Sequence, residues 1–347
     1  MTNAPSCKQA LLAVLITVAG VLTTACGGGG GDAPSNTGVP PAPPAPRTEP
    51  AAVTSVPQAV YADNRRVLAF NRLNEIRSQA GVGLLTQKTA VDDAAQSHTV
   101  YQMVNHEDGH TETPGKPGYT GPTSKIRIDY FGYQNLLEST EVTAALPFFT
   151  ATPPQEGGVN LVDLLMGAPY HRNAMLRAEY ADVGFGLYDQ ASVTRLTINM
   201  ARTRANTQGA PSTTLIIWPP DGSTGIPTSM LGEDPSPIEE NNGAPAGYPA
   251  SVQVSSLFWA IDVTRFEIRE LSTNALINTK LLSYATDTTL SATFGDHSFA
   301  AALPRIPLSK NTAYKVIFEG TRTSDEERVP RPVAATWYFT TGNREAF

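Results

Sequence analysis

The sequence predicts an α+β protein: a part mixing helices with strands, followed by a small all-β sandwich. Three observations carry this. Apolar residues recur at helical spacing between Asp63 and Arg177, and strands follow from Asp182. From residue 250 the pattern changes to a period of two, with short strands and no helical stretch. Residues 1–56 show neither pattern and stand apart from both.

Taken in order, the N-terminus reads as a targeting segment. Lys8 precedes the uncharged run Ala10–Leu22, which suits a signal-peptide core and is too short to span a bilayer. Leu22-Thr23-Thr24-Ala25-Cys26 then resembles the bacterial lipobox, with its leucine one place further out than usual. An ordinary secretory signal followed by a chance cysteine is the plainer alternative. The lipobox resemblance implies that residues 1–25 are removed and that Cys26 carries a diacylglyceryl group and a further acyl chain of the palmitate type. Several acyl chains together anchor a protein stably. Gly27 is compatible with sorting to the outer membrane. Residues 26–56 then form a tether, flexible at Gly27–Gly31 and semi-rigid polyproline at Pro40–Pro50.

Composition narrows the function. The net charge is -7 and no basic patch suggests nucleic acid. Cys7 leaves with the signal and Cys26 is taken by lipid, so the remaining fold has neither thiol nor disulfide. Its stability must come from core burial.

The first helix is expected over Asp63–Ala80, where Ala69, Leu73, Ile76 and Ala80 share a face and Gly81 supplies the stop. A second runs from Thr89 to Val104, with Val91, Ala94, Ala95, His98 and Tyr101 on its stripe. The stretch 105–123 is rich in Gly, Pro and Thr and reads as a loop. Val159–Met166 and Tyr170–Arg177 read as short helices, the latter begun by Pro169. Strands follow at Asp182–Tyr188, Thr194–Ala201 and Thr213–Trp218. Residues 57–210 thus make a first domain, 211–249 a linker with a short strand, and 250–347 a β-domain. In the last, Phe266 and Ile268, then Tyr314, Val316 and Phe318, alternate with polar neighbours. Leu308 and Tyr314, spaced Leu-x5-Tyr, resemble the tyrosine-corner segment of immunoglobulin-like and fibronectin-like domains.

The chemistry rests on few residues. Of the five histidines, His98, His106 and His110 lie close in sequence, and His171 follows later with Glu138 between. His106-Glu107-Asp108-Gly109-His110 formally matches HExxH, but Gly109 and Thr113-Pro114-Gly115 do not continue a helix, which that motif requires. No Gly-x-Ser-x-Gly elbow and no phosphate-cradling glycine loop is present.

Leu73-Asn74-Glu75-Ile76-Arg77, Ala94-Ala95-Gln96-Ser97-His98, Gly109-His110-Thr111, Ala168 to Leu176 around His171-Arg172, and Val183-Gly184-Phe185-Gly186 occur in that order. This series resembles the CAP superfamily, also called SCP-like, over about residues 62–203. The resemblance implies a CAP-like α-β-α sandwich with a cleft lined by histidines and glutamates. It assigns His110, with His106 as the alternative alignment, Glu138 and His171 to the cleft, with His98 and Glu141 as additional lining and Glu141 or Asp163 as weak candidates for a fourth member. The late strand Leu196-Thr197-Ile198-Asn199 supplies no cleft histidine or glutamate.

Two imidazoles and a carboxylate converging in a groove can hold Zn²⁺ or act as general acid and base. They can equally serve only to fix the loop against the last helix. Arg172 is expected to pair with a local acid such as Asp163. Three functions stay open: a membrane-tethered binding module for a lipid, sterol or cell-envelope ligand; a metal-dependent hydrolase; and a purely structural envelope protein. The first is favoured, with the membrane as partner through the lipid anchor and no nucleic acid.

Overall fold

The computed structural model describes residues 50–150, 153–210, 214–255, 259–326 and 328–345. The signal, Cys26 and most of the tether lie outside the described residues.

The first half comprises α1 (Asn64–Gln79), β1 (Thr86–Gln87), α2 (Thr89–Asn105), α3 (Ser124–Tyr130), β2 (Leu136–Pro147), α4 (Gly157–Gly167), α5 (Pro169–Leu176), β3 (Asp182–Gln190) and β4 (Val193–Thr203). The helix starts follow from capping chemistry. The Asp63 carboxylate accepts from Arg65 N at 2.9 Å, and Pro169 occupies the first turn of α5, where a missing N–H costs nothing. Helix α2 stops at Asn105 because His106 turns left-handed (φ 53°). The HExxH stretch therefore begins where the helix ends, and its two histidines share no helix face.

The strands form one sheet in the order β1-β3-β4-β2, with β1 parallel to β3 and the other pairs antiparallel. Side chains alternate across it. Val183, Phe185 and Leu187 of β3, with Leu196, Ile198 and Met200 of β4, enter a core built with α1, α4 and α5 around Leu73, Ile76, Leu161 and Met175. The opposite face carries Gly184, Gly186 and Ala201, and α2 and α3 cover it with Val91, Ala94 and Ile128. This is an α-β-α sandwich. The glycines are required: a Cβ on Gly184 would lie 2.1 Å from Asp92 N, and one on Gly186 2.3 Å from Ala95 O.

The Asn-x-x-Arg spacing of α1 also has a structural cause. Asn74 exchanges two hydrogen bonds with the Leu85 backbone, at 3.0 and 2.8 Å. Fully buried Arg77 donates to the carbonyls of Gly83, Met175 and Arg177, tying α1 to the end of α5. Burial pushes Arg77 down to about 10, against the pull of Glu179.

The second half holds β5 (Ile216–Trp218), β6 (Ser223–Ile226), β7 (Ala250–Gln253), β8 (Trp259–Glu270), β9 (Thr279–Ser283), β10 (Phe299–Pro304), β11 (Ala313–Ser324) and β12 (Arg331–Thr341). They make two four-stranded sheets, β5-β7-β10-β9 and β6-β12-β11-β8, facing each other over a core that includes Val252, Ile268, Val316, Phe318, Trp337 and Phe339. The Tyr314 hydroxyl accepts from Ser309 N at 2.9 Å. β6 and β5 come from the stretch read as linker, where Met230, Ile238 and Ala246 are also buried.

The halves are packed together. β10 is buried along its whole length. Ala300 and Ala302 face the sandwich core, while Phe299, Ala301 and Leu303 join a cluster with Tyr170 of α5. Arg172 does not pair with Asp163, which instead accepts from Arg72 at 2.7 Å. Arg172 is fully buried and donates to Met166 O, Pro249 O and Ser251 Oγ, stitching α5 to β7. Proximity in sequence suggests an acid, but α5 turns that face toward the sheet. Among the described residues, no helix is long and apolar enough to cross a membrane.

Candidate functional site

The site lies along the open edge of the first sheet, at β2. Glu141 projects from β2 toward α2 and α3, as do Ser139, which meets Ser124, and Thr143, which meets Gln102. Its carboxylate is buried, and both oxygens lie 2.8 Å from Arg127 Nη2 of α3. His110 Nδ1 lies 3.1 Å from Glu141 Oε1, and His98 Nε2 lies 3.5 Å from it. Across the ladder stands Asn199, whose amide nitrogen, turned inward, donates to Glu141 Oε2 at 2.8 Å. Burial alone would raise the Glu141 carboxyl. The hydrogen bond from His110 and the charges around it, Arg127 included, overcome this and hold it at about 2.

His98 is a core residue. Its Nδ1 lies 3.0 Å from Glu112 Oε1 and its Nε2 3.1 Å from Gly109 O. Glu112 also accepts from Thr120 N and Gly121 N, at 2.7 and 3.2 Å. Burial works against ionisation of Glu112, but the His98 hydrogen bond, these backbone donors and Arg127 keep its carboxyl below the usual range. This network fixes the loop from α2 to α3, and with it His110, whose side chain is 50% exposed.

The second pair comes from the other layer. His171 stands in the first turn of α5, and its Nδ1 lies 2.6 Å from Glu233 Oε1. The two atoms are close but lack hydrogen-bond geometry, which leaves this buried nitrogen without a hydrogen-bond partner. Glu233 accepts from His171 N at 2.7 Å and Tyr170 N at 3.2 Å, so its carboxylate caps α5. Both pairs, His110–Glu141 and His171–Glu233, line one cavity of about 480 Å³.

Glu138 is not in this group. It accepts from Arg177 at 2.9 Å and from Arg202 at 2.7 Å. Burial opposes its ionisation, yet the two guanidinium groups hold it below the usual carboxylate range. The reason is parity. Glu138 and Glu141 stand three residues apart on one strand, so they project from opposite faces. Asp163 also lies elsewhere, beside Arg72 in a separate cavity. Cys26 lies outside the described residues. Glu233 was missed because it sits 62 residues from His171 in a stretch with only turn signals.

At His110 the carboxylate on Nδ1 sets the tautomer and leaves Nε2 as the lone-pair nitrogen. His110 can thus accept a ligand proton or present an oriented lone pair. Among the described residues, no three His, Cys, Asp or Glu side chains are grouped as metal ligands.

An outer surface protein of Borrelia burgdorferi is similar at 13% identity, over 42% of this chain and 97% of its own, with a TM-score of 0.34. An extracellular protein containing a SCP domain from Bacillus anthracis is similar at 22% identity, over 42% of this chain and 45% of its own, with a TM-score of 0.33. No curated protein matches the sequence. The model of the CAP family, the cysteine-rich secretory protein family, matches residues 70–200. The matched stretch carries most of the α-β-α sandwich together with His110, Glu141 and His171.

Proposed function

We propose that this is an exported, lipid-anchored protein whose CAP cavity binds a ligand of the cell envelope, of lipid, sterol or related chemistry. One observation carries the reading: two histidine–carboxylate pairs, held by opposite layers of the sandwich, meet on a single cavity. Such a site combines a few placed polar groups with apolar walls, here Val142, Tyr170 and Phe294. The lipobox around Cys26 and the tether behind it support presentation away from an outer membrane. The β half is taken as immunoglobulin-like, a reading supported by the Leu308 and Tyr314 corner.

The test is native mass spectrometry of the detergent-solubilised full chain after incubation with envelope extract. His110→Ala and His171→Ala are expected to lose ligands that the wild type retains. Retention of every ligand by both variants would end the reading. The anchor is tested separately: Cys26→Ala should move the protein from the membrane fraction to the soluble one and abolish the acyl mass on its N-terminal peptide.

A further inference from the structure

The histidine-lined cavity does not end at His171. A second cavity of about 460 Å³ shares Arg177, Phe294 and Asp296 with it. The two also follow one another along β2, since Glu138 lines the second while Thr140, Glu141 and Val142 line the first. From 138 to 142 an extended chain covers roughly 13 Å. β2 is an edge strand, bonded only to β4. Among the described residues its other side makes no backbone hydrogen bond. The facing wall belongs to the β half, at Trp259 and the turn from Phe294 to Ser298. A row of unpaired N–H and C=O groups lining a groove is a template for another extended strand.

The charge of the groove selects the strand. Asp234 is exposed in the first cavity and Asp325 in the second. Neither is engaged by another side chain among the described residues. The groove's arginine, Arg177, is already committed to Glu138 and Glu179. Phe294, at the junction, is 47% exposed and can cover an apolar side chain. We propose that the groove takes an extended peptide bearing basic side chains, added as a strand to β2, with Asp234 and Asp325 receiving the cations. This rests on the cavity reading, because the first cavity forms one end of the groove.

The probe is a fluorescein-labelled peptide of alternating valine and lysine, used with the full chain in detergent. Controls are its valine–glutamate counterpart and a version with its lysine amides N-methylated. The basic peptide should bind and slow hydrogen exchange over residues 136–147. N-methylation should weaken it roughly tenfold. The Asp234→Asn/Asp325→Asn double variant should bind it roughly fivefold more weakly at low salt. Unchanged exchange in β2, equal binding of the N-methylated or acidic peptide, or no binding up to roughly 1 mM overturns the inference. If His110→Ala loses envelope ligands while the basic peptide fails, the groove is refuted and the cavity reading stands. If the peptide binds as expected while the histidine variants keep every envelope ligand, the groove stands alone.

Discussion

Glu141 is a buried anion whose neighbours leave it no neutral alternative. Arg127, His98 and His110 surround it, and its carboxyl is held at about 2 against an ordinary 4.5. Because the folded value is the lower one, the stabilisation is complete above the unfolded value and drains away as pH falls toward 2. Its size is about 3 kcal/mol. Glu141→Gln should therefore flatten the acid limb of a urea-midpoint profile between pH 4.5 and pH 2. At neutral pH it should also cost about 3–5 kcal/mol, since it strips Arg127 of its close partner. An acid limb as steep as the wild type's would refute this. At this scale the sequence was only half legible. The histidines and the stretch carrying both glutamates could be picked out by type. Which glutamate faces His110 depends on the parity of β2 and on the irregular pairing between Leu136 and Glu138, and neither leaves a mark in composition. Glu233 left even less, as its role exists only once the chain has folded back 62 residues onto α5.

Elements whose partners lie on a periodic face were the legible ones. α1, α2, α4 and α5 fall within two residues of their expected ends, because each buries one apolar stripe, and α1 and α5 add the Gly81 stop and the Pro169 start. α3 has a Thr123 cap but no apolar stripe, and β2 has neither. α3 is two turns long, and β2 is an edge strand whose residues are nearly all half-buried, so neither shows a clean period. The glycines of β3 have the opposite character: conspicuous in sequence, but explained only by the helix that lies on them. Gly186→Ala would press a methyl against the Ala95 carbonyl at 2.3 Å, which is backbone and cannot swing away. The expected cost is at least 1–3 kcal/mol, read as a lowered melting temperature with exchange rising first in α2. A variant as stable as the wild type would mean that α2 can lift from the sheet without penalty.

The whole molecule is less divisible than its patterns suggest. Short strands after residue 250 were legible from their alternation, but the seam was not, because Arg172 meets Pro249 and Ser251 across 77 and 79 residues. The sheet containing β10 has apolar residues on both faces, one set against its partner sheet and one against Tyr170. The described residues form one compact unit. Calorimetry of the intact protein should therefore show a single transition, with Arg172→Ala lowering it by about 2–4 kcal/mol through the carbonyls it leaves unpaired. Two separated transitions in the wild type would contradict this.

Glu233 has a consequence for descent and for engineering. The family match closes at residue 200, yet the carboxylate that meets His171 and caps α5 stands beyond it. A recombination joint cut at that boundary would carry off the histidine and abandon its counterpart, so a graft made there would inherit the shape of the cleft with half its chemistry. Any exchange of this module between proteins has to carry the stretch through Glu233 as part of the same heritable piece.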